Sequence, residues 1–268
     1  MFFPTPKLTR ISRKTFWARA EISYLSRAPS EALDKPLYSL VFPNVSVIVK
    51  SSCRDVEHAV SGIRDAADLH WLRAFGVVDN DRRTQADVNR LKERGVYAVS
   101  VFSVESIYYH SEVQRRVVER HAAITGEVAL THLAAAKAAA IAAITPHVQR
   151  LSERAVEKAI REEIFRHLPK KEEIATAAPI EVFVDVAAVV VLERDRLQNA
   201  VNAGDLMEII AKYPVRETPA LAKIALGLGF QDREQYEGAV RKLLIDDNEA
   251  LSFVRTLFGS LASDIGAT

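Results

Sequence analysis

Cys53 is the only cysteine in this chain. A single thiol excludes an internal disulfide framework and any zinc site built on several thiolates, and it fits a reducing, cytoplasmic setting. A phosphate-cradling glycine loop is also missing. GxxxxGK[ST] does not occur, and Gly227-Leu228-Gly229 closes a helical pattern instead of following a strand. The chain is therefore not itself a P-loop ATPase. Its histidines are scattered, with no HExxH and no close pair to mark a metalloprotease-type site. The apolar stretch Leu133 to Ile144 is Ala-dominated, interrupted by Lys137, and shorter than the ~20 residues that cross a bilayer. It reads as a helix that lets a neighbour approach closely, and no membrane partner is expected. Net charge is +1, so no global field recruits nucleic acid and any such contact rests on local patches.

What is present is an α/β pattern followed by a helical one. Asn44 to Val49 and Leu72 to Val78 are apolar and β-branched runs bounded by turn-formers, as strands are. Tyr97 to Phe102 reads the same way, and Ile22 to Leu25 is a weaker candidate. Between them, Glu31 to Val41, Ser52 to Ile63 and Gln85 to Arg94 carry helical spacing, with Ser51 or Ser52 placed to cap the second. Alternation of this kind predicts a layered α/β domain with a mainly parallel sheet. Ser111 to Arg120, Glu127 to Ile144 and Leu151 to Leu168 then read as helices, as do five segments from Ala187 to Ala262. Ile180 to Val186 alternates apolar and acidic residues and reads as one edge strand. The first twenty residues hold five cations and no acid, which reads as an unstructured leader. The expected division is a leader over 1–28, an α/β domain over 29–112 and a helical domain over 113–268.

The most informative stretch is Leu72 to Arg83. An apolar run ends in Asp79-Asn80-Asp81, and Arg82 and Arg83 follow at once. Open parallel sheets bind ligands beyond the carboxyl ends of their strands. Two carboxylates spaced i, i+2 share a face of extended chain and offer hard oxygen ligands to a magnesium ion that holds phosphate. Asp-Asn-Asp is equally the chemistry of an ordinary turn, because these side chains bond their own backbone. Glu105 lies beyond the next strand run, so adjacent parallel strands would bring a third acid near the first two.

These residues resemble the Toprim domain of the overcoming-lysogenisation-defect type, which accompanies AAA/ABC-class ATPases in bacterial anti-phage defence. The likeness runs from Leu33-Asp34 and Leu37-Tyr38 through Phe42-Pro43, Val45 to Ile48 and Ser52 to Val56. It continues with Phe75 to Asp81, Gly95-Val96-Tyr97 and Val104-Glu105-Ser106, so it covers about Leu33 to Tyr109. The resemblance implies a Toprim-like sheet with flanking helices, and Mg2+ or Mn2+ held by Asp79, Asp81 and Glu105 for phosphodiester cleavage. It further implies that Arg82 and Arg83 meet phosphate, that the substrate is DNA or RNA, and that an ATPase subunit is the protein partner. Formation of a homo-oligomer is left open.

One departure counts against activity. The family's first strand ends in Glu-Gly, and spacing from Leu33-Asp34 puts that position near Ser26-Arg27-Ala28, where no acid stands. Glu31 is close but out of register, and Glu21 falls on the far side of the Ile22 to Leu25 candidate. The sequence therefore supports an active metal-dependent nuclease, a catalytically degenerate domain kept for binding a partner and, behind both, a small phosphatase or nucleotide-binding protein.

Overall fold

The computed structural model describes residues 15–20, 34–50, 52–169, 174 and 181–266. The chain forms two compact units, one made of Met1–Ser100 with Asp247–Thr268, the other of Val101–Asp246. The expected boundary at 112/113 assigns everything beyond it to the helical domain; in the structure the last segment, Asp247–Thr268, belongs to the α/β unit.

The first unit is built on a four-stranded, all-parallel sheet, ordered β2-β1-β3-β4. Its strands are β1 (Thr15–Ala20), β2 (Val45–Lys50), β3 (Arg73–Val78) and β4 (Val96–Ala98). Helices α1 (Asp34–Val41), α2 (Cys53–Asp65) and α3 (Gln85–Glu93) lie in the connections, as parallel pairing demands. Two expectations are corrected here. The first twenty residues are not wholly a leader, because 15–20 form a strand paired on both edges, Thr15 with Val45 on one side and with Arg73 on the other. The Ile22 to Leu25 candidate, Glu21 and Glu31 lie outside the described residues. The strand read over Tyr97 to Phe102 is shorter and starts one residue earlier, at Val96.

Side-chain size decides how α2 seats on the sheet. Val56 and Val60 are buried beside Ala74, Val78 and Val96. At Gly76 a β-carbon would lie 2.5 Å from Val56 Cγ1, so only glycine lets the helix approach this closely. Both α2 and α3 begin at hydroxyl caps: Ser52 Oγ accepts from Asp55 N, and Thr84 Oγ1 accepts from Asp87 N.

The chain's last described helices, α12 (Asn248–Thr256) and α13 (Leu261–Gly266), complete this unit. Phe258 sits edge-on to Tyr38 and Phe42, with ring centroids 5.8 and 5.4 Å away. Tyr97 Oη donates to Asp264 Oδ2 at 2.7 Å, and Arg73 Nη2 donates to the Asp264 carbonyl at 2.7 Å. These contacts draw on both β3 and β4, so the sheet and the C-terminal helices are stabilised together.

The α-helices of the second unit, among its described residues, are α4 (Val104–Tyr108), α5 (Ser111–Thr125), α6 (Ala129–Ile144), α7 (Val148–Arg166), α8 (Val186–Asn202), α9 (Leu206–Lys212), α10 (Ala220–Gly227) and α11 (Arg233–Asp246), and no strand is described there. The Ala-rich α6 does admit a close neighbour. A β-carbon on Gly227 of α10 would fall 2.4 Å from the Ala136 Cα, so the two backbones nearly touch. A buried polar group ties α11 to the α4–α5 turn. There, Glu237 Oε1 accepts from Tyr109 Oη at 2.8 Å and from Arg233 Nη2 at 3.0 Å. Of the edge strand read over Ile180 to Val186, the described residues 181–185 carry no regular element and α8 begins at Val186. One helical stretch, Ala129–Phe165, is long and apolar enough by composition to cross a membrane, and a 3-10 turn with proline at Thr145–His147 interrupts it.

Candidate functional site at the carboxyl end of β3

The strand order creates a particular place on the sheet edge. From β1 the chain crosses to β2 on one side, while β3 leads to β4 on the other, so the order reverses between β1 and β3. A crevice opens beyond the carboxyl ends of two strands that diverge in this way. Asp79-Asn80-Asp81 follows β3 there directly.

The turn that carries the acids is held in an unusual shape. Asn80 Nδ2 donates to the Val99 carbonyl at 2.9 Å, which pins the turn to the exit of β4. Asn80 Oδ1 accepts from Arg83 N at 3.0 Å, and the Asn80 carbonyl accepts from the same N–H at 2.9 Å. Between these anchors Asp81 and Arg82 both take left-handed backbone, with φ of 51° and 65°. Two consecutive non-glycine residues in that region cost about 1–3 kcal/mol each, less for aspartate, and such strain persists only where surrounding bonds enforce it. Asp79 and Asp81 are both buried, at 5% and 9% exposure.

Cys53, at the first position of α2, shares this neighbourhood. Burial pushes its thiol above the ordinary cysteine range, and the charges of Asp81 and Asp79 push the same way. The Arg83 guanidinium, hydrogen-bonded to the thiol, works against them. Arg83 Nε also reaches the Asp79 carbonyl at 3.5 Å. Two carboxylates, a guanidinium and a thiol thus meet where β3 ends and α2 begins. Sequence reasoning singled out Asp79, Asp81 and Arg83 and overlooked Cys53 and Asn80. The signal was available for Cys53: it follows β2, and all exits of parallel strands lie along one edge of the sheet.

Glu105, the third acid expected at this site, lies in the first turn of α4, in the second compact unit, where its Oε2 accepts from Arg216 Nη1 at 3.0 Å. Among the described residues no group of three His, Cys, Asp or Glu side chains is arranged to hold a metal ion. Asp79 and Asp81 are the hard oxygen donors described at the β3 exit. Magnesium is commonly held by one or two carboxylates, with water and phosphate oxygens filling the other positions. The Cys53 sulfur is too soft to add to that set.

No protein-family model, no curated protein and no solved structure matches this chain.

Proposed function

We propose that the α/β unit is a Toprim-type, Mg2+- or Mn2+-dependent domain acting on phosphodiester bonds of DNA or RNA. In this reading Asp79 and Asp81 hold the cation, and Arg83 and Arg82 meet the phosphate. The observation that carries the reading is the strained, buried Asp79-Asn80-Asp81 turn at the switch point of a 2-1-3-4 parallel sheet, followed at once by two arginines. The bound cation would polarise a phosphoryl oxygen and offset the charge that develops as the bond breaks. The chain's own part is to hold two carboxylates in fixed positions and to present a guanidinium that pairs with phosphate oxygens.

The family pattern asks for a glutamate after the first strand. With β1 ending at Ala20, the next residue in the sequence is Glu21, so the departure noted above depends on where that strand was placed. Glu21→Gln is therefore tested alongside Asp79→Asn and Asp81→Asn. With Mn2+ supplied, wild type should nick supercoiled plasmid or cut a labelled RNA. Asp79→Asn should reduce the rate about a thousandfold, equivalent to about 4 kcal/mol of barrier. Equal background rates in wild type and Asp79→Asn would remove the nuclease reading.

A specific observation favours a second reading. Glu105 is paired with Arg216, and no third metal donor is gathered among the described residues. A catalytically degenerate Toprim-type domain that binds an ATPase subunit in anti-phage defence fits those facts. It predicts co-purification with the ATPase and no turnover under any cation.

A further inference from the structure

We infer that the outer halves of α7 and α8 form a self-association surface, and that two copies of this chain pair there as an antiparallel four-helix bundle. The inference is independent of the proposed activity. On α7 the buried positions, Val148, Leu151, Ser152 and Val156, all fall in the first half; on α8 the buried positions, Leu197 and Val201, fall in the second. The packed body of the unit thus holds the start of one helix and the end of the other. Beyond Val156 on α7, and before Leu197 on α8, no described residue is buried.

Those outer halves are not polar. The first seven residues of α8, Val186-Ala187-Ala188-Val189-Val190-Val191-Leu192, carry no charge on any side. A helix apolar all round is normally a buried helix. Phe165 and Leu192 are nevertheless 67% and 73% exposed, and Phe183, just before α8, is 92% exposed. With Ile164, Leu168 and Val186 they leave roughly 700 Å2 uncovered, taking about 200 Å2 for a fully exposed aromatic side chain and somewhat less for an aliphatic one. A stable interface takes about 600–1,000 Å2 from each partner, so the patch has the right size for one.

Charge selects the occupant. Along the outer half of α7 the ions are paired within the helix, Arg161 with Glu157 and Lys158 with Glu162. The charges of the outer half of α7 thus balance, three acids against three bases from Glu157 to Arg166, and the acids Glu181 and Asp185 beside Phe183 disfavour an anionic membrane. The chain's net charge of +1 gives two copies little reason to repel. Two antiparallel helices with an apolar side are half of a four-helix bundle, and a two-fold axis supplies the other half with the same residues.

Sedimentation equilibrium of the full chain tests this, with circular dichroism as a check on folding. Wild type should show twice the chain mass at micromolar concentration. Phe165→Asp with Leu192→Asp should weaken dimerisation at least ~100-fold at unchanged helix content, since each change enters a two-fold interface twice. Should that variant misfold, Phe165→Ala and Leu192→Ala singly should each weaken dimerisation about tenfold or more. A wild-type monomer at about 100 µM, where any association stronger than roughly −5.5 kcal/mol would show, or a dimer indifferent to all of these substitutions, would overturn the inference. A monomeric wild type that floats with neutral lipid vesicles would assign the surface to a membrane instead.

Discussion

Asn80 and Val99 hold two neighbouring strand exits together: the amide of one donates to the carbonyl of the other at 2.9 Å, across the ends of β3 and β4. The acids on either side of Asn80 are positioned by that bond and by the turn it closes with Arg83. Asn80→Ala removes both side-chain bonds. Urea unfolding should show a loss of about 1–2 kcal/mol, and cation affinity should fall because the turn is no longer pinned.

The left-handed backbone at Asp81 separates stability from function. Asp81→Gly relieves the φ of 51° and should raise stability by up to ~1 kcal/mol while abolishing cation binding. Thermal unfolding and a Mn2+ titration on the same preparation check both halves. A glycine variant that is destabilised would show that the aspartate side chain contributes more to the fold than its backbone costs.

Cys53 reports on the site without any added probe group, being the only thiol. Burial raises its pKa, so it should react slowly with iodoacetamide at neutral pH. Asp81→Asn removes a charge that raises the pKa, so alkylation should quicken; Arg83→Gln removes the group that lowers it, so alkylation should slow. The folded pKa lies above the unfolded one, so the stabilising contribution is complete below the unfolded value and is lost as pH rises through the folded one. Stability measured from pH 8 upward should fall less steeply in Cys53→Ser than in wild type.

Gly227 tests the helical unit alone. A methyl group there meets the Ala136 backbone at 2.4 Å, where no flexible side chain can yield. Gly227→Ala should destabilise by about 1–3 kcal/mol, the usual cost of overpacking. An unchanged unfolding midpoint would mean that α6 and α10 separate freely.

Much of the α/β unit was legible because its signals are local. The β2 and β3 runs, the cap at Ser52 and the abrupt change from Val78 to Asp79 depend on residues close in sequence. β1 escaped because Thr15 to Ala20 follows a cluster of cations and itself carries Arg19; its two-sided pairing with β2 and β3 is tertiary. The return of Phe258 and Asp264 to Tyr38 and Tyr97 is likewise long-range, as is the Arg216 partner of Glu105. A motif placed Glu105 beside a strand, but only the fold could supply the arginine that occupies it. Cys53 was visible as a residue and not as a neighbour, since its place follows from the sheet order.

Calorimetric titration of the full chain with Mn2+ addresses the central claim most directly. Wild type should bind one ion, Asp79→Asn and Asp81→Asn should each abolish that binding, and Glu105→Gln should leave it in place. Equal heats in wild type and both aspartate variants would contradict the account, because the β3 exit would then hold no cation.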